Sequence, residues 1–166
     1  MIAVIDYGMG NLRSVEKGFL KVGVDVRVTN KPDVVRSADA VVLPGVGAFR
    51  DCMRELTNLE LIDAVKEAIT AGKPYLGICL GLQVLFSESE EFGRCGGLDV
   101  LRGKVVKFDF SAGAHSNMPS FNQSPMPDSQ SLKVPHMGWN GIKMQDDNPL
   151  FSGIEDQSYF YFVHSF

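Results

Sequence analysis

Two glycine-flanked turns hold the residues of this chain whose types and spacing could do covalent chemistry. In the first, Gly77-Ile78-Cys79-Leu80-Gly81 joins the apolar run from Pro74 to Ile78 to the start of a helical pattern. Glycines two residues either side of a cysteine allow a sharp strand-to-helix turn that lifts the side chain to a helix N-terminus. There the helix dipole and free N–H groups favour thiolate over thiol, and the thiolate is the nucleophile. Cys79 is therefore the expected nucleophile of a covalent mechanism. In the second turn, Pro44-Gly45-Val46-Gly47-Ala48-Phe49 follows the apolar run from Ala40 to Leu43. Its glycines can aim backbone N–H groups into a site, as an oxyanion hole requires, or can serve an ordinary strand-to-helix turn. Paired with the cysteine turn at another strand end, the expected donors are the Leu80 N–H and one from the Val46-Gly47 segment.

A nucleophilic cysteine normally works with a base, and the chain holds 3 histidines, His115, His136 and His164. None lies in a motif that marks a general base. Of the other cysteines, Cys52 sits in a helical stretch and reads as a small buried filler, and Cys95 reads as an ordinary loop thiol. An odd number of cysteines without a C-x-x-C pair argues against a disulfide framework or a zinc site and fits a reducing compartment. No metal and no cofactor is expected. Gly8-Met9-Gly10-Asn11 invites a dinucleotide reading, but the third glycine of that fingerprint would fall at Arg13. A tight turn with Asn11 capping a helix is the better account.

These residues must be positioned by an alternation of strands and helices. Ile2 to Ile5 reads as a buried strand, and Asn11 to Val22 as a helix with Leu12, Val15, Phe19 and Val22 on one face. Val24 to Val28 and Ala40 to Leu43 read as strands separated by a short polar helix. Phe49 to Leu56 and Leu59 to Ala71 read as helical, and Pro74 to Ile78 as the fourth strand. This pattern predicts an α/β fold of three layers, a mostly parallel sheet with helices on both faces, whose ligands gather at the carboxyl ends of the strands. Beyond Phe86, Gly103 to Phe108 and Tyr159 to Val163 are predicted strands, mixed or antiparallel additions to that sheet. Residues 111–131, rich in Ser, Pro, Asn and Gln, read as a flexible surface loop in which His115 faces solvent.

Bulk properties narrow the partners. The 166 residues suit one domain, 1–166, and 45% hydrophobic content is enough for a core. With 16 Lys and Arg against 20 Asp and Glu, the formal charge of -4 attracts neither nucleic acid nor acidic membranes. The N-terminal apolar run is too short for a signal peptide or a membrane span, so a cytoplasmic protein is expected.

Five segments together carry a resemblance. They are Asp6-Tyr7-Gly8-Met9-Gly10-Asn11, Leu43 to Phe49, Gly77 to Gln83, Pro135-His136-Met137-Gly138-Trp139-Asn140, and Tyr161-Phe162-Val163-His164-Ser165-Phe166. In this order they resemble the glutaminase subunits of imidazole glycerol phosphate synthases, class I glutamine amidotransferases of histidine biosynthesis with a flavodoxin-like fold. The resemblance implies that Cys79 attacks the carboxamide of L-glutamine, giving a thioester and ammonia. Leu80 with Val46 and Gly47 would supply the oxyanion donors. Gly47, Gln83, His164, Ser165 and Phe166 would hold the glutamine. His136, Met137, Gly138, Trp139 and Asn140 would face a HisF-type cyclase barrel, the partner of a heterodimer that receives the ammonia. Trp139 could equally fill a core, and His164, alone in an aromatic strand, reads as a structural histidine rather than a base.

Two departures qualify the resemblance. The family's base and its orienting carboxylate lie in a His-Pro-Glu-like segment beyond the His-Ser-Phe element, and this chain has none, so it reads as C-terminally truncated. Without general acid–base catalysis, worth roughly 10²–10⁴-fold, the chain alone is expected to be a poor or inactive enzyme. The long 111–131 stretch leaves open a paralogue serving a sugar-modifying synthetase. The same residues are also compatible with a catalytically incomplete binding module or a stand-alone thiol hydrolase.

Overall fold

The computed structural model describes residues 1–109, 134–145 and 149–166. The chain divides into two compact units, Met1–Val106 and Lys107–Phe166. The loop expected over 111–131, with His115, lies outside the described residues.

The first unit runs β1 (Ile2–Ile5), α1 (Leu12–Lys21), β2 (Val26–Thr29), α2 (Pro32–Ser37), β3 (Ala40–Gly45), α3 (Phe49–Asn58), α4 (Leu61–Thr70), β4 (Tyr75–Cys79), α5 (Leu80–Gln83), β5 (Phe86–Ser89), β6 (Cys95–Gly96) and β7 (Leu101–Val105). Strands β2, β1, β3 and β4 form one parallel sheet in that order. In β1 and β3 consecutive residues, Ala3, Val4 and Ile5 and then Val41, Val42 and Leu43, are all buried. A strand shows that pattern when both faces of its sheet are covered. The cover includes α3, which buries Phe49, Cys52 and Leu56, and α4, which buries Leu61, Ala64, Val65 and Ala68. Both sets follow helical spacing, and each large side chain so buried stabilises the fold by about 1.5–3 kcal/mol.

Asn11 caps α1 as expected, its Oδ1 accepting from the Ser14 N–H at 3.4 Å. Along α1, Leu12, Val15 and Phe19 are half-buried, whereas Val22 follows the last helical residue and is 72% exposed. Strand β3 runs two residues further than the apolar pattern predicts, through Pro44 to Gly45. Its pairing with β1 ends at Val42, so Pro44 is paired on the β4 side alone, where a proline is tolerated.

The strands after Phe86 do not extend that sheet as expected. β5 pairs antiparallel with β6 and parallel with β7, making a separate three-stranded sheet. β7 occupies Leu101–Val105 rather than Gly103 to Phe108, and Cys95 lies in β6 rather than in a loop. Apolar patterning misses β5 because it buries Glu88 and Ser89. Glu88 Oε1 lies 2.8 Å from Lys104 Nζ, Oε2 pairs with Arg94, and these partners hold its carboxyl below the usual range.

The second unit contains β8 (His136–Gly141), a 3-10 turn at Pro149–Phe151, and β9 (Tyr159–His164). β8 and β9 pair antiparallel from His136 opposite His164 to Gly141 opposite Tyr159, a two-stranded sheet of their own. Alternation puts Met137, Trp139, Tyr159, Tyr161 and Val163 on one face, and all five are exposed.

Candidate active site

β4 ends at Cys79, whose backbone sits at φ 54 and ψ -112, a conformation non-glycine residues rarely adopt. The residue is exposed and stands at the N-cap of the one-turn helix α5. The flanking glycines are fixed by close approach. A Cβ at Gly81 would stand 1.8 Å from the Leu43 carbonyl oxygen, and one at Gly77 would stand 2.5 Å from the Gly81 oxygen. The elbow is thus folded tightly back on its own strand and on β3. Tyr75, at the start of β4, donates from its hydroxyl to the Gly81 carbonyl at 2.7 Å and ties the two limbs together.

The glycine loop arrives beside this elbow because β3 and β4 are neighbours and Gly45 is the register partner of Cys79. A Cβ at Gly45 would meet Leu80 Cβ at 2.7 Å and the Gly81 nitrogen at 2.9 Å, so only glycine lets the loop lie this close. Val46 and Gly47 follow, both exposed, with Gly47 at φ 89. The far end of the loop is pinned by Glu91, whose Oε2 accepts from the Phe49 N–H at the first position of α3 at 2.8 Å. That carboxylate also complements the positive end of the helix dipole. Gln83 is half-buried at the end of α5, one turn after Cys79.

Below the loop lie the buried Tyr7 and Cys52 and the half-buried Tyr75. Burial pushes the Cys52 thiol up to about 11 and holds the Tyr7 and Tyr75 phenols above their ordinary range. Cys52 is the expected filler, a neutral thiol shut away from water, whereas Cys79 is open to an incoming carbonyl.

In the second unit the β8–β9 pairing joins segments far apart in sequence. His136 Nδ1 lies 2.9 Å from His164 Nε2, His136 Nε2 lies 2.5 Å from Asn140 Nδ2, and His164 Nδ1 lies 3.2 Å from the Phe166 carbonyl. That carbonyl can only accept, which makes His164 Nδ1 a donor and its Nε2 an acceptor for the Nδ1–H of His136. The amide of Asn140 then donates to His136 Nε2. Phe108 packs edge-on against His164, and its N–H donates to the Ser165 carbonyl at 2.9 Å. His164 is held as a structural histidine would be. Ser165, Phe166 and Gly138 are half-buried, while Met137, Trp139 and Asn140 are exposed.

The structure therefore gathers the expected site residues into two sets. Cys79, Leu80, Val46, Gly47 and Gln83 meet at the ends of β3 and β4, and His136 to Asn140 meet His164, Ser165 and Phe166 across the β8–β9 ladder. Sequence reasoning passes over Tyr7, Tyr75 and Glu91. Tyr7 lies inside a motif that stands out only for its glycines, and Glu91 reaches a helix that begins 42 residues earlier. Among the described residues no group of three or more His, Cys, Asp or Glu could hold a metal ion, and no helix is long and apolar enough to cross a membrane.

A parallel sheet with a cysteine elbow and an amide-bearing loop at adjacent strand ends is an acyl-transfer architecture. The family model of glutamine amidotransferase class-I matches residues 3–166. Over 166 residues the chain is 52% identical to the imidazole glycerol phosphate synthase subunit HisH of Syntrophotalea carbinolica, an alignment covering 100% of this chain and 74% of the relative. It is 48% identical to the HisH subunit of Geobacter metallireducens, covering 99% and 72%, and 47% identical to that of Methanosarcina acetivorans, covering 99% and 71%. A solved structure described as a glutamine amidotransferase superimposes with a TM-score of 0.56 at 19% identity, over 67% of this chain and 59% of that one, a likeness of fold. The chain belongs to the class I glutamine amidotransferases, in the group of the HisH subunits of imidazole glycerol phosphate synthase.

Proposed function

We propose that this chain is the ammonia-supplying glutaminase of an imidazole glycerol phosphate synthase, with Cys79 as its nucleophile. The observation that carries the reading is the exposed Cys79 at φ 54 and ψ -112, in register with Gly45 of the neighbouring strand. Cys79 Sγ attacks the side-chain carboxamide carbon of L-glutamine, forming a C–S bond and placing negative charge on the former carbonyl oxygen. The N–H groups of Leu80 and of the Val46-Gly47 segment are the donors for that charge. Collapse breaks the C–N bond, and ammonia leaves once the nitrogen has gained the proton that the Cys79 thiol gave up on attack. Water then attacks the thioester, releasing glutamate and restoring the thiol. Within the first unit, Gln83 and Gly47 are the contacts proposed for glutamine.

Ammonia in neutral water is mostly ammonium and therefore not nucleophilic, so it must pass directly to its acceptor. The proposed recipient is a HisF-type cyclase barrel, which closes the imidazole ring in histidine biosynthesis, yielding imidazole glycerol phosphate and AICAR. The exposed Met137 and Trp139 of β8 are the proposed docking residues. Large aromatic anchors of that kind are enriched in protein interfaces.

The test is glutamine hydrolysis by the subunit assembled with its synthase partner. Cys79→Ala abolishes turnover, and a glutamine-like diazo-ketone labels the wild-type chain at Cys79. Hydrolysis by Cys79→Ala at the wild-type rate would refute the assignment.

A further inference from the structure

The helix that presents Cys79 is too short to hold its own shape. α5 spans 4 residues, Leu80–Gln83, and one of them is Gly81. A helix of that length is not stable by propensity, because nucleation fixes several residues for a single hydrogen bond. Its carbonyls are also thinly served from within. The Val84 N–H donates to the Leu80 carbonyl at 3.0 Å. The Leu85 N–H, which would serve the Gly81 carbonyl if the α-helix ran on, donates to the Leu82 carbonyl at 3.2 Å. The Gly81 carbonyl is taken instead by the Tyr75 hydroxyl at 2.7 Å, from a side chain on β4. Side chains alternate along a strand, so Tyr75, Gly77 and Cys79 share one face of β4. Gly77 is the gap between the other two. A Cβ there would stand 2.5 Å from the Gly81 oxygen, so its absence lets that carbonyl fold over the strand and reach the phenol. Burial holds the phenol above its ordinary range, so it stays protonated and remains a donor.

We propose that Tyr75 is a positioning residue for the reaction: by holding the Gly81 carbonyl it keeps the first turn of α5 wound, with the Leu80 N–H aimed at the oxyanion formed on Cys79. The inference rests on the reading of Cys79 as nucleophile and of the Leu80 N–H as donor, and it names what supports that donor. The backbone of Cys79, at φ 54 and ψ -112, is a conformation that persists only where its surroundings fix it from both sides. On the N-terminal side β4 is fixed by its ladder with β3, from Val41 opposite Tyr75 to Gly45 opposite Cys79. On the C-terminal side the Tyr75 hydroxyl ties α5 back to the same strand. The sheet that holds Tyr75 therefore also holds the turn after Cys79. Oxyanion donors act by being in place before the charge appears, and a turn free to unwind would lose that advantage. The hydroxyl works through the backbone and not on the sulfur.

The experiment compares Tyr75→Phe and Tyr75→Leu with wild type in the assembled synthase. It measures kcat and KM for glutamine, the rate at which iodoacetamide alkylates Cys79, and the Tm of the subunit. Turnover is counted per subunit that a glutamine-like diazo-ketone labels, so misfolded protein does not enter. Alkylation displaces iodide from a saturated carbon and forms no oxyanion, so it reports the thiol without the donor. Tyr75→Phe lowers kcat about threefold to tenfold, the effect of one neutral hydrogen bond, at unchanged KM and with alkylation within about twofold of wild type. Tyr75→Leu, which removes the ring as well, lowers Tm further without a second drop of that size in kcat. A wild-type kcat in Tyr75→Phe overturns the proposal, and a loss confined to Tyr75→Leu would make the ring plain packing. A parallel fall in alkylation overturns it too, since the effect would then lie on the thiol. So does a raised KM at constant kcat, which would make Tyr75 a substrate contact. Cys79→Ala is run alongside. If it hydrolyses glutamine normally, the nucleophile assignment fails first; if it is inactive while Tyr75→Phe behaves as wild type, only the role of Tyr75 fails.

Discussion

Replacing Gly81 by alanine tests whether the elbow is fixed by close packing. The added Cβ would lie 1.8 Å from the Leu43 carbonyl oxygen and 2.8 Å from the Leu43 carbonyl carbon. That is some 1.7 Å short of the roughly 3.5 Å at which such atoms rest. The obstacle is backbone of the central strand β3, so no rotamer change can relieve it, and α5 must shift instead. Overpacking of this kind costs about 1–3 kcal/mol, and the rigidity of the neighbour places Gly81→Ala at about 3 kcal/mol. In a domain of this size that lowers Tm by roughly 6–12 °C. An elbow displaced by about 1 Å also loses on the order of 100-fold in glutamine turnover. Gly18 is the internal control. It lies within α1, a Cβ there meets nothing within 4 Å, and Gly18→Ala should stabilise by about 0.5–1 kcal/mol. Thermal and denaturant unfolding of both variants, with glutaminase assays of the assembled enzyme, decide the matter. Gly81→Ala within about 0.5 kcal/mol of wild type would refute the packing argument.

Other measurements probe the surroundings. Cys52 stays a thiol in the fold up to about 11, whereas in the unfolded chain it ionises near its ordinary value of 9.0. Its contribution is therefore complete below pH 9 and lost as pH rises toward 11, on the order of 2–3 kcal/mol, a loss readable in urea unfolding at stepped pH. In the folded protein at pH 8 a thiol reagent should modify Cys79 rapidly and Cys52 only after unfolding. Glu91→Ala removes the acceptor of the Phe49 N–H and should cost about 1–2 kcal/mol in chemical denaturation, comparable to the loss of a helix cap. Trp139→Ala should weaken assembly with the cyclase by roughly 30-fold in a titration, the effect of losing a hot-spot anchor. Nitrogen-correlated NMR of the imidazoles should find the Nδ1–H tautomer at both His136 and His164; an Nε2–H tautomer at His164 would break the proposed order of donors.

What could be read from sequence follows from where the physics is local. β1 and β3 announce themselves as apolar runs because both their faces are covered, whereas β2 and β4 show as short runs with exposed members such as Arg27, Leu76 and Ile78, and Cys79 is marked by glycines on either side in the same few residues. β5 is invisible to that reasoning, since its buried Glu88 is made tolerable by Lys104 and Arg94, partners supplied by the fold. β8 hides for a different reason. In His136-Met137-Gly138-Trp139 the alternation rests on only two apolar residues, both exposed, and what holds the strand is the cross-strand meeting of His136 with His164, a pairing no local pattern encodes. The same holds for Tyr7 and Glu91, whose importance lies in what they touch across the fold. The family resemblance supplies roles for residues in both units, and it contains no hint of the phenols beneath the loop.

That Gly45 and Cys79 are rung partners of one parallel ladder sets how far the sulfur stands from the amides opposite. The distance is inherited from interstrand spacing, about 4.8 Å in any sheet. Residues flanking the turns can drift through evolution, or jostle thermally, without altering it. Reactivity here is gauged by the most rigid ruler a protein possesses.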